Sequence, residues 1–346
     1  MLDKGEIKEN LHCQQLSLPE FDQFYKLTKK ENKFTRILSN DFPKLTYKRM
    51  KLFSKKTIRH NGQRKLLMSE IEFITLMIKK FNLFAKEITI LYIGAAPGTH
   101  ISFLCEKFKK VKFILYDPLP FSKSLHIYKN VEIHQEYFED KQVNLYKNFQ
   151  SPLFLISDIR NPYYDIKLGS EDDKKIMEDM NLQKSFVEKI KPLGAMLKFR
   201  VPYTPGKTEY LVGEIYLPVW GAVSTTECRL ICDINNSNNY TKTTIYDNTD
   251  IEQKMFYFNN VYRPSIFKHE IEKGVKGLCH CYDCTSEIGI IKEYLKLMKS
   301  SINKSVIVKL INEISEFVNR GLAESNPDPN KRASNLNKKM EFIKKK

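Results

Sequence analysis

The chain has 346 residues, 42% of them hydrophobic, enough for one large or two ordinary domains around a real core. It has no apolar run near roughly 18 residues and no hydrophobic leader, so a secreted or membrane-spanning protein is not expected, and an odd count of seven cysteines favours reduced thiols in a cytoplasm-like compartment. A net charge of +16 calls for a polyanionic partner, nucleic acid first and an acidic membrane surface second.

Residues 1 to about 45 mix polar and aromatic side chains (Phe21, Phe24, Tyr25) without sustained periodicity, and an irregular N-terminal arm is expected over 1–58. Within it Lys44–Lys56 is basic and aromatic together (Tyr47, Lys48, Arg49, Lys51, Phe53, Lys55, Lys56). That mixture suits phosphates and stacked bases, and a solvated charge run with two buried rings has the same composition. A helix starts at His60-Asn-Gly-Gln-Arg-Lys65, its apolar positions Leu67, Ile71, Ile74 and Ile78 repeating at helical spacing. Lys65 stands in its first turn, where a cation opposes the helix dipole: it has a task there, or it pairs with Glu70 or Glu72.

Ile88 to Ile93 reads as a buried strand that breaks into Gly94-Ala-Ala-Pro-Gly98, after which Ile101, Leu104, Cys105 and Phe108 mark a helix. Gly94 and Gly98 let the backbone approach a ligand or take φ > 0, and the N–H groups that follow favour a polar or anionic group. The next strand, Lys112 to Tyr116, ends in Asp117, about twenty residues past the turn, where an acid can accept hydrogen bonds from a ribose diol. A nucleotide-like ligand fits this βαβ spacing, and so does a plain structural turn.

Ser151–Ser157 is a further parallel-type strand with Asp158 at its C-terminal end, the edge where doubly wound sheets collect ligands. A helix over 174–191 stops at Pro192-Leu-Gly194. Ala195–Val201 is a core strand with Lys198 in its middle, costly unless paired or functional; Ser224–Cys232 carries Glu227, a partner for it or half of a structural ion pair. Asp233–Asn248 reads as a polar loop and 250–318 as mainly helical, with Gly321 closing the last helix. A basic disordered tail follows, set at 323–346, where Lys331–Lys346 holds seven basic residues against Glu341 alone. Cys279-His-Cys-Tyr-Asp-Cys284 has zinc-knuckle spacing but no second Cys-x-x-Cys exists, so buried thiols or a turn are preferred and no metal site is expected.

Five segments, Tyr92-Ile-Gly-Ala-Ala-Pro-Gly-Thr-His100, Leu155-Ile-Ser-Asp-Ile-Arg160, Leu197-Lys-Phe-Arg-Val-Pro-Tyr203, Thr226-Glu-Cys-Arg-Leu230 and Glu252-Gln-Lys-Met-Phe-Tyr257, occur in the order seen in a known family. Over about residues 60–260 the chain resembles the poxvirus-type cap-specific mRNA (nucleoside-2'-O-)-methyltransferases, which also serve as the small, stimulatory subunit of the viral poly(A) polymerase. The resemblance implies an α/β, Rossmann-like S-adenosylmethionine-dependent methyltransferase fold of FtsJ type over 59–322, with helical C-terminal additions. It also implies a large cytoplasmic DNA virus or a related element as source, action in the host cytoplasm or virion, capped mRNA as substrate, a poly(A) polymerase catalytic subunit as partner, and no membrane.

The family's Lys-Asp-Lys-Glu tetrad falls on Lys65, Asp158, Lys198 and Glu227. Its cofactor contacts fall on Gln63, Leu66, Tyr92, Gly94, Gly98, His100, Asp117 and Phe138, with Leu119 where the family has an arginine. Its cap-binding rings and acid fall on Tyr47, Tyr203 and Glu252, with Pro205 in place of a second acid. Methyl transfer from a sulfonium needs the ribose 2'-oxygen in line and partly deprotonated. A lysine desolvated beside a second cation gives up its proton more readily, so Lys198 is expected to act as base or to stabilise the alkoxide, oriented by Asp158 and Glu227. Two other readings share these residues: a non-catalytic RNA-gripping processivity factor, and an FtsJ-like 2'-O-methyltransferase acting on uncapped RNA.

Overall fold

The computed structural model describes residues 28–31, 33–48, 62–159, 170–221, 225–233, 241–271, 275, 278 and 280–325. The first 27 residues, the part of the basic aromatic run beyond Lys48, Cys279 and the basic tail beyond Ser325 lie outside the described residues.

Strand β1 (Thr28–Glu31) is followed by helix α1 (Gly62–Lys80), and then strands and helices alternate. They run β2 (Ile88–Ile93), α2 (Ile101–Lys107), β3 (Val111–Tyr116), a 3-10 turn (Lys123–Ile127), β4 (Val131–His134), α3 (Asp140–Tyr146), β5 (Leu153–Ser157), α4 (Ser170–Ile190) and β6 (Gly194–Phe199). Next come β7 (Lys207–Leu211), β8 (Glu214–Tyr216), β9 (Cys228–Asp233), β10 (Thr243–Asp247), α5 (Asn248–Tyr257), a π-helical turn (Phe258–Tyr262), β11 (Ser265–Ile266), α6 (Tyr282–Leu297) and α7 (Lys304–Ser325).

Seven strands form the main sheet in the order β4-β3-β2-β5-β6-β9-β8. The first five are parallel, while β9 runs antiparallel to β6 and β8 antiparallel to β9. All six residues of β2 are buried, the pattern of a central strand covered on both faces. Strand order reverses at β2, so the crevice beyond its C-terminal end and that of β5 is the topological switch point. This is the Rossmann-like α/β architecture that the resemblance implied.

Three local readings change. Thr243-Thr-Ile-Tyr-Asp, hidden in an Asn-rich polar stretch, is β-branched and aromatic enough to form β10, which pairs antiparallel with β7. The last helix runs through Gly321 to Ser325 instead of stopping at the glycine. The segment expected to be irregular contributes β1, paired with β11, and sends Leu38 and Phe42 into the core.

The C-terminal helices brace the start of α1. Arg64 is buried and donates through Nε to Glu287 of α6 at 3.0 Å and through Nη1 to Ser315 of α7 at 2.9 Å. Trp220 donates its indole N–H to the same Glu287 at 2.6 Å. Buried carboxylates of this kind persist only when paired and hydrogen-bonded.

Candidate active site

The turn after β2 leaves the regular strand with Gly94 at φ 80° and Gly98 at φ 63°. A Cβ on Gly94 would stand 2.8 Å from the backbone of Asp158 and Ile159, so only glycine lets the two strand ends approach this closely. The turn is pinned to β3 where Gly94 N–H donates to the Tyr116 carbonyl at 2.9 Å. Asp117 accepts from Ala96 N–H at 3.1 Å and from Leu119 N–H at 2.8 Å. Burial pushes the Asp117 carboxyl above its ordinary value, against the pull of those two N–H groups.

Behind the turn lies a buried polar network. Glu70 Oε1 accepts from the Tyr92 hydroxyl at 2.7 Å and lies 2.9 Å from His100 Nε2. Gln63 Oε1 lies 2.8 Å from His100 Nδ1 and accepts from Thr99 Oγ at 2.5 Å. Tyr92 and His100 are therefore buried with their polar atoms engaged inside the protein, and they hold the turn against α1. Burial, followed by the Glu70 carboxylate, raises the Tyr92 phenol well above its usual value. Leu66 is half-buried on α1, and Phe138 is buried edge-on against Tyr116 and Phe186.

Lys65, Asp158, Lys198 and Glu227 converge in one ionic cluster. Lys65 Nζ lies 2.5 Å from Glu227 Oε1, and Lys198 Nζ lies 3.2 Å from Asp158 Oδ1 and 3.7 Å from Glu227 Oε2. Neither Glu70 nor Glu72 takes Lys65: Glu70 serves the network above, and Glu72 holds Arg36 through two hydrogen bonds of 3.0 and 2.6 Å. Glu227 stands just before β9, its N–H donating to Thr225 Oγ at 3.0 Å.

A fifth member had no place in the sequence reading. Arg229 Nη2 reaches Asp158 Oδ1 at 3.0 Å and Glu227 Oε1 at 3.3 Å. Burial alone would raise the Asp158 carboxyl, but the charges of Lys198 and Arg229 outweigh it and hold the group below the usual carboxylate range. Arg229 is in turn held charged by the two acids. Gln183, also missed, clamps the Lys198 backbone from α4, accepting from its N–H at 3.1 Å and donating to its carbonyl at 3.0 Å. Its signal was available: a polar residue at the position between Met180 and Val187 on the apolar stripe of that helix.

The three residues assigned to the cap gather around α5. Tyr203 N–H donates to Asp173 at 2.7 Å, its neighbour Thr204 accepts from Asn248 at the start of α5, and the Arg200 guanidinium lies 4.4 Å from the Tyr203 ring centre. Tyr47 is exposed and rests edge-on against Phe256, 5.4 Å between ring centres. Glu252 lies between them along the helix, and burial raises its carboxyl. Asn259, just past α5, donates to the Thr225 carbonyl at 2.9 Å, which ties this region to the segment that carries Glu227.

Cys281 and Cys284 are buried, and His269 and His280 stack at 4.1 Å. Among the described residues, no group of three or more His, Cys, Asp or Glu is arranged to hold a metal ion, and no helix is long and apolar enough to cross a membrane.

The family described as poly A polymerase regulatory subunit matches residues 35–320, wider than the span of the sequence resemblance. A cap-specific mRNA (nucleoside-2'-O-)-methyltransferase of Fowlpox virus (strain NVSL) is 30% identical over 216 residues, 59% of this chain and 68% of that protein. Proteins of the same description from Myxoma virus, strains Lausanne and Uriarra, are each 28% identical over 227 residues, 61% of this chain and 64% of theirs. The chain thus spans about two thirds of the length of the curated relatives it matches. Among solved structures, bluetongue virus VP4, described as a multifunctional RNA-capping production-line, aligns with a TM-score of 0.43 and 13% identity over 62% of this chain and 33% of that one, too distant to bear on function.

Proposed function

The chain belongs to the poly A polymerase regulatory subunit family, and from that membership we propose that it is a cap-specific mRNA 2'-O-methyltransferase. It converts cap 0 to cap 1 on the first transcribed nucleotide and serves also as the regulatory, processivity-conferring subunit of a viral poly(A) polymerase, in host cytoplasm or virion. The observation that carries the reading is the meeting of Lys65, Asp158, Lys198 and Glu227 beside the Gly94 turn.

The turn suits a nucleoside cofactor: two glycines leave the backbone open, and a half-buried acid stands at the next strand end. S-adenosylmethionine, when bound, supplies an electrophilic methyl group. Gln63, Leu66, Gly94, Gly98, Asp117 and Phe138 are the residues assigned to hold it, with Tyr92 and His100 fixing the turn from behind.

Among the described residues the cluster sets three cations, Lys65, Lys198 and Arg229, against two carboxylates. Cations gathered in a half-buried site favour whatever brings a negative charge to them, and a ribose 2'-alkoxide does so as its proton leaves. Lys198 Nζ is the group assigned to steer or accept that proton. Asp158 and Glu227 aim it, and Arg229 helps to keep Asp158 ionised.

Methyl transfer measured on capped and uncapped versions of one short RNA tests the reading. Transfer to the capped RNA alone supports it; equal transfer to both favours an FtsJ-like enzyme of broader substrate range. Isothermal titration with S-adenosylmethionine separates the enzyme from an RNA-gripping scaffold, since a scaffold would give no heat of binding.

A further inference from the structure

The catalytic cluster occupies the C-terminal edge of the parallel strands, and the opposite edge carries a separate feature. A groove of about 480 Å³ opens there between the start of β2, the start of β3 and the end of α6. Leu83, Phe108 and Leu297 form part of its apolar floor, and Lys86, Lys107, Lys109, Lys110 and Lys299 line it. Glu106 is its one acid, and it accepts the Tyr128 hydroxyl at 2.5 Å.

Several lysines on the neighbouring elements are paired. Lys79 and Lys296 share Glu293, Lys292 meets Glu270, Lys112 meets Glu132, and Lys107 at the groove meets Glu313. Lys86, Lys109, Lys110 and Lys299 are exposed, and among the described residues no carboxylate lies within ion-pair distance of them. They come from three loops, between α1 and β2, between α2 and β3, and after α6. Four unpaired ammonium groups around one groove repel each other, and a run of phosphates relieves that repulsion. Phe84 stands at the same groove, 47% exposed, with a ring face on which a base can stack.

We propose that this groove is a second single-stranded RNA site that grips the body of a transcript, separate from the methyl-transfer site. The six residues of β2 put roughly 20 Å between the two edges of the sheet. A chain that holds RNA on both edges can keep a transcript while its 5' end is released. The proposal does not rest on methyl transfer, because the groove shares no residue with the cluster.

The test uses the full chain and a short, uncapped, fluorescein-labelled oligoribonucleotide, with affinity followed by anisotropy across a salt series and no cofactor present. K86Q/K110Q should weaken binding about fivefold or more and flatten the slope of log K against log salt by about 1.4. K129Q/K147Q, an equal charge change at exposed lysines outside the groove, should have much less effect. F84A should cost about fivefold with an unchanged salt slope. All three variants should methylate a short capped RNA as the parent does. Equal losses in the two double variants would mean a diffuse charge effect, and no loss in either would mean no RNA at the groove; each overturns the proposal. So would intact RNA binding with lost association to the poly(A) polymerase catalytic subunit, which would make the groove a protein-docking face.

Discussion

Lys198 and Arg229 stand directly opposite each other on the antiparallel strands β6 and β9, and both reach one oxygen, Asp158 Oδ1, at 3.2 and 3.0 Å. A slip of one residue between these strands would send one of the two side chains to the other face of the sheet. The ionic cluster is therefore a product of strand register as much as of residue type.

Lys198→Ala should lower methyl transfer to capped RNA by about 10²–10⁴. The fold should survive, because Arg229 stays with Asp158 and Gln183 grips the backbone at residue 198 without using its side chain. Initial rates and thermal unfolding, measured together, check both halves; an unchanged rate in a folded variant removes Lys198 from the chemistry.

Arg229→Met removes one of the cations that hold Asp158 ionised and takes a charged hydrogen-bond donor from it, at a cost of about 1–3 kcal/mol. The pH dependence follows from the lowered Asp158 value. In the parent, this carboxylate's contribution is complete above the ordinary carboxylate range and is lost as pH falls through the lowered value. Without Arg229 that value rises, so acid unfolding followed by circular dichroism should begin at higher pH. Superimposable acid-unfolding curves would contradict this.

Glu70→Ala strips the acceptor from the Tyr92 hydroxyl and from His100 Nε2, leaving buried polar atoms unsatisfied at about 1–3 kcal/mol. The turn they hold should loosen, so calorimetric affinity for S-adenosylmethionine should fall along with stability. Glu70→Gln, which keeps the shape and one acceptor, should lose less of both. Full cofactor affinity in Glu70→Ala would show that the network does not shape the pocket.

Gly94→Ala places a Cβ 2.8 Å from the Asp158 backbone and forces φ 80° on an L residue. Left-handed strain alone costs roughly 1–2 kcal/mol, and the clash with backbone cannot be relieved by a rotamer change. Gly98→Ala should be milder, since two of its three nearest neighbours are the movable side chains of Leu125 and Ile101. Urea unfolding of the two variants should rank them in that order.

Glu252 is half-buried, and burial raises its carboxyl. It stays protonated to a higher pH than an ordinary glutamate, and only the ionised form would offer both oxygens as acceptors to the N–H donors of a cap bound there. Affinity for a methylated cap analogue should therefore rise as pH passes that raised value, and Glu252→Gln should flatten this step in a fluorescence titration.

What could be read from the sequence were anomalies against a regular background. Glycines after an apolar run, an acid at each of two strand ends, a lysine inside a core strand and a cation at a helix start each broke a local rule, and Gly94, Asp117, Asp158, Lys198 and Lys65 stood out for that reason. Arg229 broke none: an arginine alternating with apolar residues along a strand has the pattern of a solvent-facing position, and only the pairing of β9 with β6 turns it inward. The partner of Glu72 was equally hidden, because Arg36 comes from a segment with no periodicity and is brought there by tertiary packing.

Arg64 sits one residue before Lys65, and its guanidinium is bolted to α6 and α7. The placing of Lys65 in the ionic cluster is thus decided by parts of the polypeptide more than two hundred positions downstream. A shortened protein ending before Lys304 would discard Ser315, half of that anchorage, and bare the apolar side of α7's former seat. The terminal helices are gunsight rather than ornament, and pruning them would blunt accuracy before it cost bulk.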